Sequence, residues 1–327
     1  MMQLDGYILV DKSTGLSSFD VIRQIRRTFP EKDPNARRAK FRRYKFGHTG
    51  TLDPLATGLL VICVGEATKA AQWLTGVDKE YEVTARVGVV SDSYDSTGTV
   101  TESDFRKDRS TQHEDYENID GFVRVLDKFI GEIEQRPPIY SAIHIDGERA
   151  YERARRGESV VMPLRKITIS QIEMLEHGAD QFRLRVHCSS GTYIRSLIHE
   201  IGVELGIGAV MTALRRTQCG SFDLKQSHPL ARLSQLVSFA DWKPYIYDIS
   251  TGFPRSCVAD ISSEAWEALS AGRPIAPVTD LDFCLRPHDE SDPRRYALLR
   301  DAASGSLAFS FAADGSWHPR RILNLKH

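Results

Sequence analysis

Two stretches of the chain alternate, residue by residue, between apolar and polar side chains. They cover residues 81–89 and 182–188. A period of two is typical of strands that bury one face and expose the other. Residues 122–130 and 192–205 instead show helical spacing. Because single helices interrupt the strands without a regular strand–helix–strand repeat, we predict the α+β class, with a mixed, largely antiparallel central sheet and flanking helices.

The N-terminal part of the chain contains shorter elements of the same kinds. Residues 7–10 and 59–64 are apolar runs of strand length. A helix is predicted from about Ser18, whose hydroxyl can cap the first turn.

Length and composition indicate two globular domains. The chain has 327 residues, 41% hydrophobic and 27% charged, and a domain usually takes about 100–200 residues. Residues 238–257 combine prolines and a glycine with aromatic side chains, and the segments after them become shorter. We therefore predict a first domain of residues 1–247 and a small β-rich domain of residues 248–327. No apolar run approaches the roughly 18 residues of a membrane span, so we expect a cytoplasmic protein with no membrane partner.

The charge of the chain is unevenly distributed, although its formal sum is −1. Between residues 23 and 45, ten Lys and Arg face two acidic residues, a balance of +8. Between residues 91 and 120, nine acidic residues face three basic ones, a balance of −6. Clustered positive charge can neutralise phosphates, the sequence-independent part of nucleic-acid binding. A solvated loop or helix face would show the same charge run, so both interpretations stay open.

The run G-H-T-G-T-L-D-P-L-A-T-G-L-L at residues 47–60 combines three glycines with one acid. Glycines allow tight bends or the close approach of another molecule. Asp53 precedes Pro54, which is common in simple caps and turns. The apolar strand that follows would hold the loop rigidly, as a catalytic group requires. A structural turn and a catalytic loop are both consistent with this run.

The same run resembles the signature of the TruB-type pseudouridine synthases, bacterial enzymes that isomerise a uridine in the T loop of tRNA. Four further blocks are similar to the family and follow in the same order: residues 11–18, 78–83, 135–155 and 188–197. Five ordered blocks, covering about residues 4–222, are far more specific than one short motif. The resemblance implies the pseudouridine synthase fold. The C-terminal part, from about residue 251, resembles a PUA-like RNA-binding domain in its succession of short helix and strand segments.

The resemblance also implies which residues act on the substrate. Asp53 matches the essential aspartate of the family, and Arg195 matches the active-site arginine, whose guanidinium would orient that carboxylate by a bidentate pair. Without the resemblance, an arginine in the first turn of a helix would be read as a surface or phosphate-contacting residue. Lys12 lies in the first family block and could support the pocket, contact phosphate or be a solvated lysine.

Four further residues match positions that bind the substrate. Tyr81 matches the tyrosine that packs on the target base, since a flipped uracil needs a ring to replace its lost stacking. His48 matches a histidine that helps to hold the extruded base. Tyr193 and Leu214 match further pocket positions. Each of the four would be an ordinary structural residue on spacing alone.

The implied reaction needs no redox step, because the glycosidic bond only moves from N1 to C5 of uracil. We therefore expect no cofactor and no metal, and the chain has no C-x-x-C pair and no histidines at ligand spacing. The implied partner is the T-arm of tRNA, with uridine 55 as the target, and no protein partner is expected.

The chain departs from the family pattern at three places. Ser13 stands where proline is common, and His144 stands where lysine is usual. The basic segment at residues 28–46 is longer than in many relatives, and we expect it to act as an added phosphate clamp.

Other classes of protein compete with this interpretation. An RNA-binding module without catalytic activity would not need Asp53. A phosphotransferase with an aspartate nucleophile usually has a second acid two residues later, where this chain has Leu55. A glycosidase needs two carboxyl groups, and Asp95 is the candidate for the second.

Overall fold

The computed structural model describes residues 4–31, 43–103, 116–141, 144–145, 148–149, 153, 156, 162–278, 281–282, 285 and 294–325. The chain divides into two compact units. The first unit comprises Met1–Val77 and Gln218–His327, and the second comprises Asp78–Thr217. Residues 32–42, most of the predicted basic clamp, and the side chain of His144 lie outside the described residues.

The described residues form strands β1 (Gly6–Lys12), β2 (Phe46–His48), β3 (Thr57–Val64), β4 (Lys79–Val87), β5 (Val89–Ser91), β6 (Val100–Glu102), β7 (Gly131–Gln135), β8 (His144–Ile145), β9 (Glu148–Arg149), β10 (Arg165–His177), β11 (Gln181–Cys188), β12 (Ala209–Cys219), β13 (Phe222–Asp223), β14 (His228–Pro229), β15 (Val258–Ile261), β16 (Ala297–Asp301), β17 (Leu307–Ala313) and β18 (Ser316–Leu323). The α-helices are α1 (Ser18–Thr28), α2 (Ala71–Thr75), α3 (Ile119–Asp127), α4 (Ile194–Glu204), α5 (Leu230–Leu233), α6 (Phe239–Trp242) and α7 (Ser263–Ser270). Short 3₁₀ helices occupy Gly65–Lys69, Leu224–Gln226, Lys243–Tyr245, Ile249–Gly252 and Arg255–Cys257.

The first unit contains a sheet built from the N-terminal strands. Strand β3 is antiparallel to β1, with Tyr7 opposite Cys63, and also antiparallel to β2. Strand β14 is parallel to β1. The apolar runs predicted as strands at residues 7–10 and 59–64 are confirmed as β1 and β3.

Helix α1 follows β1 and begins with a reciprocal cap. Ser17 is the N-cap: its hydroxyl accepts a hydrogen bond from the backbone N–H of Asp20, whose carboxylate accepts one from the backbone N–H of Ser17, both at 3.1 Å. The prediction that Ser18 caps the helix is therefore wrong by one residue. Ser18 is buried, and its hydroxyl bonds to the backbone of Leu52 instead.

A second sheet forms the C-terminal part of the first unit, in the order β15, β16, β17, β18. The pair β15–β16 is parallel, and the other two pairs are antiparallel. One hydrophobic core joins Tyr7 and Leu59 of the first sheet to Phe309 of the second. Trp73 of α2 stacks on Phe309 with ring centroids 3.6 Å apart. The domain boundary predicted near residue 247 stays a prediction.

The second unit is built on strands in the order β12, β4, β11, β10, β7. The pairs β4–β11, β11–β10 and β10–β7 are antiparallel. The alternation at residues 182–188 is confirmed as β11, and that at 81–89 corresponds to β4. Gly88, with φ of 77°, ends β4 before β5 begins, so the predicted strand is interrupted near its end.

The predicted α+β class is confirmed. The sheets are largely antiparallel and contain the parallel pairs β1–β14 and β15–β16, and α3 and α4 occupy the two stretches with helical spacing. Within the described residues, no helix combines the length and apolar character needed to cross a membrane.

Candidate active site

The loop that carries Asp53 lies between β2 and β3, and its backbone is fastened to the β1–α1 connection. The backbone N–H of Gly15 donates to the carbonyl of Pro54 (2.8 Å), and the Thr14 hydroxyl donates to the carbonyl of Leu55 (3.3 Å). The carbonyl of Asp53 itself accepts from the N–H of Ala56 (3.0 Å), which closes a turn. Asp53 is half-buried, so its position is fixed while its side chain is not enclosed.

Ser18 ties the start of α1 to the residue before Asp53. The backbone N–H of Leu52 donates to the Ser18 hydroxyl (2.8 Å), and that hydroxyl donates to the carbonyl of Leu52 (3.2 Å). Both groups are buried. The helix and the catalytic candidate are thereby held in one local arrangement.

Lys12 is a buried support for the same loop. Its side chain is fully buried, and its ammonium donates to the carbonyls of Leu16 (2.7 Å), Ser13 (3.0 Å) and Pro54 (3.5 Å). The interpretation of Lys12 as a solvated lysine is therefore wrong. A buried ammonium must keep its hydrogen bonds. Lys12 therefore links the β1–α1 connection, at Ser13 and Leu16, to the Asp53 loop, at Pro54.

His48 is the last residue of β2 and lies opposite Ile62 of β3. The next residue, Thr49, is fully buried and donates its backbone N–H to the carbonyl of Val61 (3.2 Å). His48 is partly buried and belongs to the same unit as Asp53.

Arg195 is buried near the start of α4 in the second unit, with 7% of its surface exposed. Its guanidinium donates to the carbonyls of Ser93 (3.2 Å) and Tyr140 (3.1 Å) and lies 3.5 Å from the Asp95 carboxylate. The surface interpretation of this arginine is therefore wrong. A guanidinium held by two segments of chain, the turn at Ser93 and Asp95 and the segment at Tyr140, presents its charge in one orientation.

Asp95 is an acidic partner of this arginine and is itself buried, at 4% exposure. Its carboxylate accepts hydrogen bonds from the Ser93 hydroxyl (2.8 Å) and from the backbone N–H (2.9 Å) and hydroxyl (2.5 Å) of Thr97. A buried ion pair is tolerated when its remaining hydrogen-bonding capacity is satisfied, as it is here.

Tyr193 is the N-cap residue of α4, and its backbone is clamped by one amide side chain. The Gln135 side chain accepts from the N–H of Tyr193 (2.7 Å) and donates to its carbonyl (3.1 Å). Gln135 is buried, while the Tyr193 side chain is half-buried. The last residue of β7 therefore sets the entry of the chain into α4, two residues before Arg195.

Tyr81 and Leu214 lie on the neighbouring strands β4 and β12. The Thr212 hydroxyl donates to the carbonyl of Thr84 (3.2 Å), and the Thr217 hydroxyl donates to the carboxylate of Glu80. The segment that contains Leu214 therefore runs beside the segment that contains Tyr81. Tyr81 is partly exposed and Leu214 is buried.

A further ionisable cluster packs behind the Asp95 turn. The His199 ring stacks on the Tyr94 ring at 4.0 Å, and Tyr94 adopts the left-handed φ of 62°. Burial lowers the pKa of His199 and raises the pKa of Glu200 to about 7. Glu200 thus resists ionisation near neutral pH because its surroundings desolvate the carboxylate.

Comparison with family models identifies the chain. Residues 37–194 match the model described as TruB family pseudouridylate synthase (N terminal domain). Residues 195–245 match the model described as tRNA pseudouridylate synthase B C-terminal domain, so the two matches cover well over half of the chain. The chain belongs to the TruB family of pseudouridylate synthases. It is a tRNA pseudouridine synthase, an isomerase that converts uridine to pseudouridine in tRNA.

Relatives within the TruB family extend the match to almost the whole chain. The tRNA pseudouridine synthase B of Francisella tularensis subsp. novicida (strain U112) is 37% identical over 306 residues, which are 94% of each chain. The protein of the same name from F. tularensis subsp. tularensis (strain WY96-3418) is 38% identical over 289 residues, 88% of this chain and 89% of the relative. The TruB assignment therefore extends to the C-terminal sheet.

A solved structure shows the same fold at a lower sequence identity. A chain in the crystal structure of a Cbf5–Nop10–Gar1 complex superimposes with a TM-score of 0.67 at 24% sequence identity, covering 98% of this chain and 85% of that one. The likeness supports the pseudouridine synthase fold of the TruB-family chain.

The candidate residues of this TruB-family chain fall into two sets. His48 and Asp53 lie in the first unit, whereas the second unit carries Tyr81, Tyr193, Arg195 and Leu214. In the second unit, Tyr193 and Arg195 share the start of α4, and Tyr81 and Leu214 share two adjacent strands.

Sequence reasoning missed the supporting roles of Asp95 and Gln135. From the sequence, Asp95 is a candidate only for the second acid of a glycosidase, and Gln135 is a member of a family block with no assigned role. The partners of these two side chains lie 100 and 58 residues away along the chain, and no spacing rule connects such distant positions.

Proposed function

We propose that this enzyme modifies uridine 55 in the T loop of tRNA and that Asp53 is the residue that acts on the nucleoside. The observation that carries the proposal is the Asp53 loop itself. Its backbone is fixed by Lys12, Gly15 and Ser18, while Asp53 as a residue is only half-buried. Catalysis needs this combination of a fixed position and access to the substrate.

The reaction requires one bond to break and one to form. The bond from uracil N1 to ribose C1′ is cleaved, the base turns, and C5 bonds to C1′. N1 gains a proton and C5 loses one, so electrons and atoms balance without a cofactor. Asp53 acts either by covalent attack or by removing a ribose proton, and both roles require its ionised form.

The second unit supplies the remaining roles in this proposal. Arg195 is the active-site arginine, and the buried Asp95 orients it. Tyr81 packs on the flipped uracil, replacing the stacking that the base loses on leaving the RNA. Tyr193 and Leu214 line the pocket, and His48 of the first unit helps to hold the extruded conformation.

We further propose that residues 248–327, which contain the C-terminal sheet, form a PUA-like RNA-binding domain. Its last strand, β18, exposes Arg320 and Arg321. Exposed guanidinium groups suit phosphate contacts outside the T loop.

Mapping of pseudouridine in tRNA tests the proposed target. Purified protein is incubated with an unmodified tRNA transcript, which is then treated with carbodiimide and copied by primer extension. We expect one new stop, at position 55, and none on a matched transcript with cytidine at that position. A stop at another uridine, or no stop, would contradict the proposal.

A further inference from the structure

Helix α1 has an outer face of unusual composition. Its inner face buries Val21, Ile22 and Ile25. The outer face exposes the side chains that follow one another at helical spacing, namely Phe19, Arg23, Arg26 and Arg27. Residues three, four, seven and eight apart lie on one side of a helix. These four residues are called the α1 face below.

Phe19 is the most unexpected member of the α1 face. It is 60% exposed, although phenylalanine usually buries a large apolar area. The Arg23 guanidinium lies 5.7 Å from the centroid of the Phe19 ring and also pairs with Asp20 at 2.7 Å. The ring is thus steadied on one side by a cation and open to solvent.

The arginines give the α1 face a net positive charge. Arg26 lies 5.9 Å from the centroid of the Phe46 ring, so a second arginine–aromatic pair stands beside the first. Asp20 is the acidic residue of α1, and the helix cap already uses it. Exposed rings with guanidinium groups suit single-stranded nucleic acid, because bases stack on the rings and phosphates bind the cations.

The α1 face is joined directly to the Asp53 loop. Ser18 precedes Phe19, and its buried hydroxyl makes both hydrogen bonds to the backbone of Leu52, which precedes Asp53. A strand of RNA that offers a nucleotide to Asp53 therefore meets a helix whose first turn is fixed to that loop.

We infer that the α1 face binds the strand of tRNA that flanks the target uridine. Phe19 stacks on an unpaired base, and Arg23, Arg26 and Arg27 bind phosphates of the same strand. The inference rests on the proposed function, because it takes tRNA as the partner. It concerns described residues only, at the start of the basic run between residues 23 and 45.

Substitutions of Phe19 test the stacking contact. The affinity of purified enzyme for unmodified tRNA is measured by filter binding. Phe19→Ala should weaken binding roughly ten-fold, since stacking on one ring is worth a factor of about 5 to 150. Phe19→Trp should bind like the wild type, because its ring also stacks. The matched control is Val237→Ala, which truncates another exposed apolar side chain (68% exposed) and should leave binding unchanged.

Substitutions of the arginines test the phosphate contacts. The slope of log affinity against log salt concentration should become shallower by roughly 0.7 to 0.9 for each of Arg23→Gln, Arg26→Gln and Arg27→Gln. Arg165→Gln, on an exposed position of β10, serves as the charge-matched control and should leave the slope unchanged.

The outcomes separate this inference from the proposed function. If the wild type forms pseudouridine while Phe19→Ala and the arginine variants bind tRNA with wild-type affinity and salt slope, the α1 face does not contact RNA and the inference is wrong. If the wild type forms no pseudouridine at position 55, the proposed function fails, whereas the binding data still decide the inference. Thermal unfolding of each variant verifies that the exposed substitutions leave the fold intact.

Discussion

The Asp53 loop and the surroundings of Arg195 are held in place in different ways. Asp53 is half-buried, and its loop is fixed through backbone carbonyls that accept bonds from the β1–α1 connection, about 40 residues earlier. Arg195 is buried, and its partners come from segments 55 to 102 residues away. The loop around Asp53 is fixed through its main chain, and Arg195 is held through hydrogen bonds and an ion pair of its side chain.

The difference reflects what each group must do in the proposed reaction. A carboxylate that acts on a nucleoside needs contact with the substrate, so only its backbone can be enclosed. A guanidinium that only supplies orientation and charge can be buried, provided that an acid and carbonyl oxygens satisfy it. Substitutions in the two regions should therefore affect activity and stability in different proportions.

The largest effect on activity is expected at Asp53. Asp53→Asn should reduce the single-turnover rate of isomerisation by at least about 1000-fold, because the amide can neither attack nor accept a proton as a carboxylate does. The affinity of the variant for tRNA, measured by filter binding, should stay within about two-fold of the wild-type affinity. If the protein were an RNA-binding module without catalysis, the wild type would not isomerise uridine either. An Asp53→Asn variant that isomerises uridine at the wild-type rate would contradict the role of Asp53.

Asp95→Ala should affect stability and activity together. The substitution removes a buried acidic partner of Arg195, at a cost of about 3 kcal/mol in the free energy of unfolding. Because the Arg195 guanidinium would lose its fixed orientation, isomerisation should slow by about 100-fold. Urea denaturation and single-turnover assays measure the two effects.

A double variant sharpens this test. Asp95→Leu combined with Arg195→Met replaces the pair by apolar groups and should recover much of the stability, while activity stays low. Recovery of activity as well would show that the pair is only structural.

Lys12→Met should mainly change stability. The substitution removes the ammonium donor from the carbonyls of Ser13 and Leu16, whereas the carbonyl of Pro54 keeps its bond from Gly15. We expect a cost of about 2 kcal/mol in the free energy of unfolding and an effect on rate smaller than that of Asp95→Ala. Lys166→Met is the matched control: this lysine is 72% exposed and pairs with Glu132 on the surface, so it should cost no more than about 1 kcal/mol. Equal costs for the two variants would contradict the supporting role of Lys12.

The smallest effect concerns Glu200 and pH. Its pKa is about 7 in the folded protein, against 4.5 for an ordinary glutamate. Between these values the folded state holds one more proton than the unfolded state, so Glu200 reduces stability as pH rises from about 4.5 to 7.

Glu200→Gln removes that dependence. The variant and the wild type should be similarly stable at pH 4.5, whereas the variant should be the more stable of the two at pH 8. Thermal unfolding across this range measures the difference. A constant difference at all pH values would show that Glu200 ionises normally.

The sequence predicts the local elements of this molecule better than its long-range contacts. Periodicity located β4, β11 and α4, since each buries one face of its own segment. The helix cap was misplaced from Ser17 to Ser18, because both are serines and only the fold shows that Ser18 bonds to Leu52. The order of strands depends on pairing between distant segments, which no local pattern encodes.

In the candidate site, too, local patterns are easier to predict from the sequence than contacts between distant segments. The resemblance of the run at residues 47–60 to the family signature points to Asp53, although the run alone also fits a structural turn. The supporting role of Asp95 has no such signal, and that of Lys12 is one of three alternatives, since an acid in a turn and a lysine after a strand are ordinary at the surface. Their roles follow from burial, which appears only when the chain is folded.

Release of the hydrogen at C5 of uridine 55 reports the isomerisation itself, because the new glycosidic bond replaces that hydrogen. The enzyme is given tRNA transcripts carrying tritium at C5 of uridine, with either uridine or cytidine at position 55. We expect tritium release from the first transcript, in an amount equal to that of the tRNA, and none from the second. Equal release from both transcripts, or no release from either, would contradict the proposed modification of uridine 55.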